Sequence, residues 1–516
     1  MHRRTGRSKS KNGCITCKMR HLRCGEEKPH CIQCTKTGRK CDGYSTQSQK
    51  ELRQRVAGPD FTWPTLSPDN QLVLVPGSRE ERKYVHTFCT QTSPALSGFF
   101  TSEVWSRFLP QLSHREPTVR HAVAAVSAMY EQHHRSNGAQ DDADDFALQQ
   151  YTKAISQFRE KLANPENSDY DSLLVTCLLF VCLEMLRSSP SSVLDHIQGG
   201  MQILFRQQKE KARQSNKDPI DQELCQSFHR LSIQLPLFGR PLIPFHVQTE
   251  TELFANHIPV LDNISEARDS MTILMNRGLG LIRPIGIDRI APSDEVNQQQ
   301  LHEQRILIQA FSNWNTAFTA MMQKPAKSVG ISDPRAPLAL QINHNTSVIW
   351  ILSCLARNET VYDQHFASFE ASVTAGEKIL ALSVPQAKQA TAEIFSLDAS
   401  VIPAIYWTAM RCREPTIRRR AIAIISNYPT KEGLWGQGER QHAISQLILE
   451  IEEESYLHLP VEERIPLDSQ RVYEALIFPE KGTYLDPCPV TIMMKPQGLH
   501  GPWDTRIECV QLPKLN

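Results

Sequence analysis

Long apolar runs are scarce in this 516-residue sequence, and their scarcity excludes two classes of protein. The most apolar stretch, LLVTCLLFVCLEML (173–186), is shorter than the roughly 20 residues that span a bilayer, and it contains Glu184. The first residues, MHRRTGRSKSKNG, have no apolar segment of the kind found in secretory signals. We therefore expect a cytosolic or nuclear protein without a membrane span, in which residues 173–186 form a buried helix.

Motifs of enzyme catalysis are also missing. Neither H-E-x-x-H nor G-x-S-x-G occurs, which excludes the common metalloprotease and α/β-hydrolase signatures. The segment GLGLIR (278–283) lacks the third glycine and the preceding strand of a dinucleotide-binding loop. The acidic run DDADD (141–145) is typical of a helix start, where carboxylates interact favourably with the helix dipole. We expect that the protein is not an enzyme.

Strand-like segments are rare before residue 470, and helical periodicity dominates instead. PTVRHAVAAVSAMYEQHH (117–134) and PTIRRRAIAIISNY (415–428) each place apolar residues on one stripe behind a proline suited to a first helical turn. Three short β-branched runs near the end, RVYEALIF, CPVTIMMK and TRIECVQL, predict strands. Further helices are predicted near residues 142–163, 168–187, 191–208, 221–235, 265–282, 294–323, 338–357, 362–383, 398–412 and 439–456.

The chain is longer than one ordinary core requires, so we expect more than one folding unit. Charge divides it unequally, because residues 1–44 carry a net charge of +9 and the remainder carries −8. A short basic head on an acidic body indicates a polyanionic partner that contacts one end only. The predicted divisions are a basic arm (1–13), a cysteine-rich module (14–44), a polar linker (45–77), a helical domain (78–465) and a β-rich tail (466–516).

Six of the fourteen cysteines lie close together, in two equal C-x2-C-x6-C halves. In a reducing compartment such a group is typical of metal ligands rather than disulfides. The remaining eight are scattered singly and are interpreted as core or surface thiols. The clustered residues are Cys14, Cys17, Cys24, Cys31, Cys34 and Cys41.

Two separate tetrahedral zinc sites need eight ligands, and six thiols are two short. Completion by His21 and His30 is asymmetric, because Gly38 occupies the position that matches His21 and because His30 directly precedes Cys31. If two of the six sulfurs bridge the ions, each ion reaches four ligands without any histidine. We therefore favour two zinc ions with shared sulfurs. So small a module cannot bury a core of its own, and we expect the metal to supply most of its folding energy.

The spacing, together with KMRHLR between the second and third cysteines and with EKPHC and TGRKCDGY, resembles the fungal binuclear zinc cluster transcription factors. The resemblance implies that Cys14 and Cys31 bridge the two ions. One ion is then held by Cys14, Cys17, Cys24 and Cys31, and the other by Cys31, Cys34, Cys41 and Cys14. Pro29 matches a loop proline that is often cis in this family.

Each half is expected to begin with a short helix at its C-x-x-C step. The first half has no glycine to end that helix and the second has Gly38, so we expect the first half to enter the major groove of DNA and the second to hold phosphates. The resemblance implies recognition of CGG-type triplets by Arg20 and His21, with Lys18 and Arg23 at backbone-contacting positions. The family more often has Lys or Arg where this chain has His21, which still donates one hydrogen bond to guanine. Further candidate phosphate contacts are Lys36, Arg39 and Lys40.

The helical region resembles a regulatory domain common in this family, through SPALSGFF, REPTVRHAV, CREPTIRRRAI and KEGLW. That resemblance implies regulation, with a small ligand or a partner protein, and no catalysis. The acidic segment EIEEESYLHLPVEE (450–463) is either an activation segment or a solvated helix end, and the sequence leaves both interpretations open. Past the cluster, only Leu52 and Val56 could occupy the apolar positions of a heptad repeat. Two such residues do not support a coiled coil, and the oligomeric state is left undefined.

The predicted fold class is a small zinc-stapled DNA-binding module plus a large all-α domain with a short β-rich C-terminal tail. The predicted function is that of a nuclear, sequence-specific transcription factor of RNA polymerase II genes. We expect an activator of a metabolic gene cluster, with secondary-metabolite clusters suggested by the family alone. Its partners are double-stranded DNA and the transcription machinery. The alternative is a zinc-stapled scaffold for protein interactions that has no DNA sequence specificity.

Overall fold

The computed structural model divides the chain into two compact units, Met1–Leu74 (the N-terminal unit) and Val75–Asn516 (the helical unit). The predicted basic arm up to residue 12 and the predicted linker up to residue 75 lie outside the described residues. The structure describes residues 13–14, 16–17, 20, 22–41, 76–134, 141–163, 169–211, 219–241, 243, 248–290, 297–389, 394–436, 438–477 and 487–511.

The described part of the N-terminal unit has one hydrophobic cluster, and it consists of the six cysteines of the C-x2-C-x6-C halves. Its helical elements are small. The first half has a helical turn at Thr16 and Cys17, and the second half has helix α1 (Ile32–Thr35). No aliphatic or aromatic side chain joins this cluster in the described residues, so the thiols are the core of the unit.

The helical unit begins with a capping box, in which the Ser78 hydroxyl accepts a hydrogen bond from the Glu81 N–H and the Glu81 carboxylate accepts one from the Ser78 N–H. Pro117 and Pro415 each occupy the first position of a helix, as predicted. The helices that follow Ser78 up to residue 256 are α2 (Arg79–Thr87), α3 (Ser93–Leu96), α4 (Leu109–Arg115), α5 (Pro117–His134), α6 (Asp141–Ala163), α7 (Tyr170–Leu186), α8 (Pro190–Lys211), α9 (Pro219–Ser232), α10 (Gln234–Leu237) and α11 (Gln248–Asn256).

Helix α7 is the centre of the first hydrophobic core. Every residue from Ser172 to Leu186 is buried, because the helix is apolar around its whole circumference and α5 and α8 pack against it. The expectation of a buried helix at residues 173–186 is confirmed. Across the described residues, none of the helices combines the length and the apolar character needed to cross a membrane.

Three further cores lie in the second part of the unit. One is around Phe311 and Trp314, one is around Phe369 and Ile405, and the third includes Ile444 and joins the last helix to the C-terminal sheet. The segment GLGLIR lies inside a helix, which excludes a phosphate-binding loop there. The helices predicted from periodicity are all present. Those of the second part are α12 (Ile264–Ile290), α13 (Gln298–Met322), α14 (Arg335–Ser353), α15 (Phe366–Gln389), α16 (Ile402–Arg411), α17 (Pro415–Asn427) and α18 (Glu439–Glu453).

The β structure is small and lies in two places. Strands β1 (Ile394–Ser396) and β2 (Thr430–Glu432) form a parallel pair that the sequence did not predict. The three predicted strands are present as β3 (Val472–Leu476), β4 (Cys488–Met494) and β5 (Asp504–Val510), which form an antiparallel sheet in that order. The predicted fold class, a cysteine module with a large helical domain and a small C-terminal sheet, is confirmed.

A buried ion-pair cluster joins the last elements of the helical unit. The Glu452 carboxylate of α18 binds Arg413 at 2.8 and 3.2 Å and Arg418 at 2.7 Å, and it accepts a hydrogen bond from the N–H of Val472 at the start of β3. Arg413 also contacts Glu359, which is fully buried. The conspicuous REPTIR motif (413–418) thus supplies both arginines of this cluster.

The acidic segment 450–463 is solvated only in part, because two of its six acids are internal and the other four are exposed. Glu452 and Glu453 are buried, and Glu453 pairs with Arg419 and Arg464. Burial alone would raise the pKa of Glu452, but the two arginines outweigh it and lower that pKa to about 2. The carboxylate consequently stays ionised at any physiological pH.

Replacing Glu452 with Gln should lower the free energy of unfolding by about 3–5 kcal/mol, because it removes the carboxylate that pairs with the buried Arg418 and leaves Arg413 with Glu359 alone. Because the folded-state pKa is depressed, the ionised carboxylate contributes stability above its unfolded pKa of 4.5, and that contribution is lost as the pH falls toward 2. Urea unfolding of the full chain at neutral pH measures the change. The matched control is Glu450→Gln, an exposed position on the same helix; equal midpoints for the two variants would contradict the prediction.

Candidate metal centre and nucleic-acid interface

The six cysteines of the N-terminal unit form two overlapping groups of four sulfurs. Cys14 and Cys31 belong to both groups, and within each group the sulfur atoms lie within 4.8 Å of one another. The groups are Cys14, Cys17, Cys24 and Cys31, and Cys14, Cys31, Cys34 and Cys41. Six sulfurs arranged in this way offer four ligands at each of two positions.

The sulfur separations fit a tetrahedral metal site. Cys31 Sγ lies 3.6 Å from Cys14 Sγ and 3.6 Å from Cys17 Sγ. Four sulfurs around one zinc ion, each at about 2.3 Å, are separated by about 3.8 Å in tetrahedral geometry. A group of four thiolates is also the ligand set that selects zinc or an iron–sulfur cluster over the oxygen-binding cations.

The two halves share a backbone scaffold that repeats after 17 residues. The Cys14 N–H donates to Cys24 Sγ (3.3 Å), and the Cys31 N–H donates to Cys41 Sγ (3.5 Å). Likewise the Cys17 N–H donates to Cys14 Sγ and the Cys34 N–H to Cys31 Sγ, both at 3.4 Å. Each shared sulfur therefore accepts a hydrogen bond at the start of its own helical turn, in agreement with a local twofold relation.

The same repeat extends to the helix ends. The Leu22 N–H donates to the Cys17 carbonyl and the Arg39 N–H to the Cys34 carbonyl, both at 3.1 Å. Gly38 takes a positive φ of 63° at this closure in the second half. Gly38 therefore lies in a helix-ending turn, as expected for the second half, and the first half ends with the same hydrogen bond without a glycine.

The loop between the halves is held by Glu27 and by a cis peptide bond. The Glu27 carboxylate accepts a hydrogen bond from the Ile32 N–H at the start of α1, at 3.0 Å. The Lys28–Pro29 bond is cis, in keeping with the family feature that Pro29 matches. This loop brings the second half back so that Cys31 reaches the sulfurs of the first half.

Packing the thiols together disfavours their ionisation. Burial raises the pKa of Cys17 to about 12 and also raises the pKa values of Cys14 and Cys34. Because the thiolate is the form that binds metal, these groups release their protons only in exchange for a bound cation.

Of the two histidines considered as additional metal ligands, the structure describes only His30. His30 is exposed and belongs to neither sulfur group, so the structure gives it no role as a ligand. His21 and Lys18, both predicted to contact DNA, lie outside the described residues. Among the residues that the structure describes, the other eight cysteines contribute to no group of potential metal ligands. Cys89 and Cys509 are the exposed members of that set.

Basic side chains surround the cysteine cluster. Arg20 is half-buried, and its Nη1 atom has no hydrogen-bond partner in the described part of the chain. The remaining predicted DNA contacts are exposed, and within the described residues none of them forms a salt bridge; they are Arg23, Lys36, Arg39 and Lys40. Their charges are therefore available to an external anion.

Comparison with known families assigns both units. Residues 12–51 match the fungal Zn(2)-Cys(6) binuclear cluster domain, and residues 83–256 match the fungal specific transcription factor domain. The second match ends with helix α11 and covers most of the first hydrophobic core, to which Phe395, Leu397 and Leu434 also contribute from later in the chain. No solved structure matches the chain significantly.

Related proteins are transcription regulators by name. The chain is 32% identical over 240 residues to the aspercryptin biosynthesis cluster-specific transcription regulator atnN of Emericella nidulans, covering 40% of this chain and 37% of that protein. It is 24% identical over 212 residues to the transcription regulator lscL of Purpureocillium lilacinum, covering 37% of this chain and 48% of that protein. It is also 31% identical over 106 residues to the transcriptional regulatory protein moc3 of Schizosaccharomyces pombe, covering 20% of this chain and 19% of that protein.

These matches therefore each span less than half of the relative's length. Residues 12–51 are shown to be a fungal Zn(2)-Cys(6) binuclear cluster domain and residues 83–256 a fungal specific transcription factor domain, and the relatives that the chain resembles are fungal transcription regulators.

Proposed function

We propose that this protein is a nuclear transcription factor that reads CGG-type triplets through a two-zinc cluster and activates RNA polymerase II genes. The observation that carries the proposal is the pair of four-sulfur groups that share Cys14 and Cys31, together with four exposed basic side chains nearby in the chain that form no salt bridge within the described residues, namely Arg23, Lys36, Arg39 and Lys40. Such a surface binds a polyanion and gains affinity from released counterions. The helical unit is assigned to regulation rather than to catalysis.

Zinc is the metal that suits this cluster best. It prefers tetrahedral sulfur coordination and has no redox chemistry, so it stabilises the fold without reacting. Cys14 and Cys31 would each serve both ions, and the other four cysteines would each serve one. The charge of six thiolates exceeds that of two zinc ions by two, and the surplus of +9 among the side chains of residues 1–44 more than offsets this difference.

Sequence recognition is assigned to the end of the first helical turn. Arg20 follows that turn, since its N–H donates to the Thr16 carbonyl, and its guanidinium has an unpartnered nitrogen in the described structure. A guanidinium pairs bidentately with guanine N7 and O6 in the major groove. His21, Lys18 and Arg23 complete this surface, while Lys36, Arg39 and Lys40 of the second half contact phosphates.

The target genes are proposed from the relatives. The name of atnN ties it to one biosynthetic gene cluster, which supports a similar role for this chain in a metabolic cluster. Mapping where the protein binds on its own genome tests this assignment directly, and binding scattered over unrelated genes would contradict it.

Purified full-length protein should contain two zinc ions per chain, measured by elemental analysis against protein concentration. Cys14→Ala removes a ligand from both ions and should lower the zinc content below two and abolish DNA binding. Cys89→Ala, at an exposed cysteine of the helical unit, is the control and should retain both zinc ions and DNA binding. A single zinc ion per wild-type chain would rule out the shared-sulfur arrangement.

Arg20→Ala should reduce the preference for a CGG-containing duplex over a scrambled duplex by about 1–3 kcal/mol, because it removes a base contact. Lys36→Ala should instead weaken binding to both duplexes equally and reduce the salt dependence by about one unit of slope. Gel-shift titrations of the full chain at several salt concentrations measure both effects.

The control for these titrations is Lys327→Ala, at an exposed lysine of the helical unit, which should leave both affinities unchanged. Equal wild-type affinity for the two duplexes at physiological salt would refute sequence-specific reading and favour the scaffold interpretation. An unchanged salt slope for Lys36→Ala would remove that residue from the phosphate contacts.

A further inference from the structure

The helical unit contains a partly open cavity of about 210 Å³ where its cores meet. Helices α12, α14 and α16 line most of it. The remainder is lined by residues of α9, α10 and α13, by Phe100, by the turn before α16 and by Trp435 of the short helical turn Gly433–Trp435. The apolar walls include Met271, Phe311 and three tryptophans, Trp350, Trp407 and Trp435. The cavity is larger than the roughly 150 Å³ apolar cavity that accepts benzene, so it has room for two fused rings.

One face of α14 presents polar groups to this cavity. Asn343, Thr346 and Ser347 are three and four residues apart and therefore share a face of the helix, which continues one turn later with Trp350. Thr346 is 8% exposed, and its hydroxyl oxygen is buried without a hydrogen-bond partner in the described structure. An unpaired buried hydroxyl costs about 1–3 kcal/mol, so the folded protein retains an unfavourable group at the cavity wall.

A second unpaired group lies on another wall. Trp435 lines the cavity, and its indole Nε1 is buried and has no hydrogen-bond partner among the residues described. The Trp435 ring is fixed by an edge contact with Phe238 at 5.1 Å and a tilted contact with Tyr406 at 6.2 Å. The indole N–H is a donor only, and so it requires an acceptor atom on whatever occupies the cavity.

The two arginines at the cavity wall are each paired with a carboxylate of the protein. Arg268 pairs with Asp398, and Arg230 pairs with Asp269 at 3.1 Å. The Nε of Arg230 also lacks a hydrogen-bond partner in the described residues, although it lies 3.6 Å from Asp398. Since each guanidinium already has a carboxylate, the wall favours an uncharged occupant with oxygen acceptors over an acid or an amine.

We propose that this cavity is a binding site for an uncharged, ring-containing small molecule that carries carbonyl or ether oxygens. Its rings occupy the space between the tryptophans, and its oxygens accept hydrogen bonds from the Thr346 hydroxyl and the Trp435 indole N–H. Binding here contacts α12, α14 and α16 together and so stabilises the helical unit. The site does not depend on the DNA-reading surface, and its test does not involve DNA.

Three probes of similar size separate the chemistry, measured on the full-length chain by calorimetry and by the shift in melting temperature. Coumarin is uncharged and carries two oxygens, naphthalene has the two rings without oxygen, and 2-naphthoate carries a negative charge. Coumarin should bind and raise the melting temperature, and the other two should bind at least threefold more weakly. No binding of coumarin at millimolar concentration, or tighter binding of naphthalene or 2-naphthoate, would overturn the assigned ligand class.

Thr346→Val replaces the hydroxyl with a methyl group of nearly the same shape and should change two quantities in opposite directions. The ligand-free protein should melt at a higher temperature, because the unpaired buried hydroxyl is gone. Coumarin affinity should fall roughly threefold to tenfold, as expected for one lost hydrogen bond. Thr316→Val, at an exposed position on α13, is the matched control and should alter neither.

Trp435→Phe supplies an independent variant, because it keeps a ring at the cavity wall and removes the N–H donor. It should also weaken coumarin binding. Unchanged affinity in both Thr346→Val and Trp435→Phe would show that coumarin binds elsewhere and would refute the proposed site.

Discussion

Sulfur sharing is the constraint on which the N-terminal unit depends. Its hydrophobic cluster in the described residues contains six thiols and nothing else, so bound metal takes the place that an aliphatic core has in larger domains. Cys14 and Cys31 belong to both four-sulfur groups, and the backbone is arranged around them. Each of these shared sulfurs accepts an N–H at the start of a helical turn, and both turns close with the same hydrogen bond. Arg23, Lys36, Arg39 and Lys40 are left on the outside, and none of them forms a salt bridge within the described residues.

In the helical unit, a buried ion-pair cluster connects the last helices to the C-terminal sheet. Glu452 holds two arginines from one short motif and the first amide of the C-terminal sheet, so a single carboxylate connects α17, α18 and β3. Buried ion pairs contribute little net stability compared with a well-packed apolar core, but a missing partner is strongly destabilising. The ion-pair cluster therefore determines which helices and strands pack together, and it contributes little to the net stability of the unit. This explains why REPTIR stands out in the sequence although none of its residues contacts a ligand.

Local patterns predicted the helices, the three C-terminal strands and the grouping of the six cysteines, because periodicity and cysteine spacing are properties of neighbouring residues. Strands β1 and β2 were missed because three residues are too few to show alternation, and their pairing joins segments some 36 residues apart. The role of Glu452 was missed because an acidic run looks the same whether its carboxylates face water or arginine. The cavity left no trace in the sequence, since Thr346 and Trp435 become neighbours only through the fold. The DNA contacts assigned to Lys18 and His21 stay predictions.

The two units have different interiors: the N-terminal unit has six buried thiols, and the helical unit has four apolar clusters and buried ion pairs. Heat acts mainly on apolar packing, whereas a chelator acts only on the cysteine cluster. In a cell starved of zinc, newly made chains would accordingly carry a folded helical unit beside an unfolded N-terminal unit. Zinc supply would then set the fraction of chains whose N-terminal unit is folded.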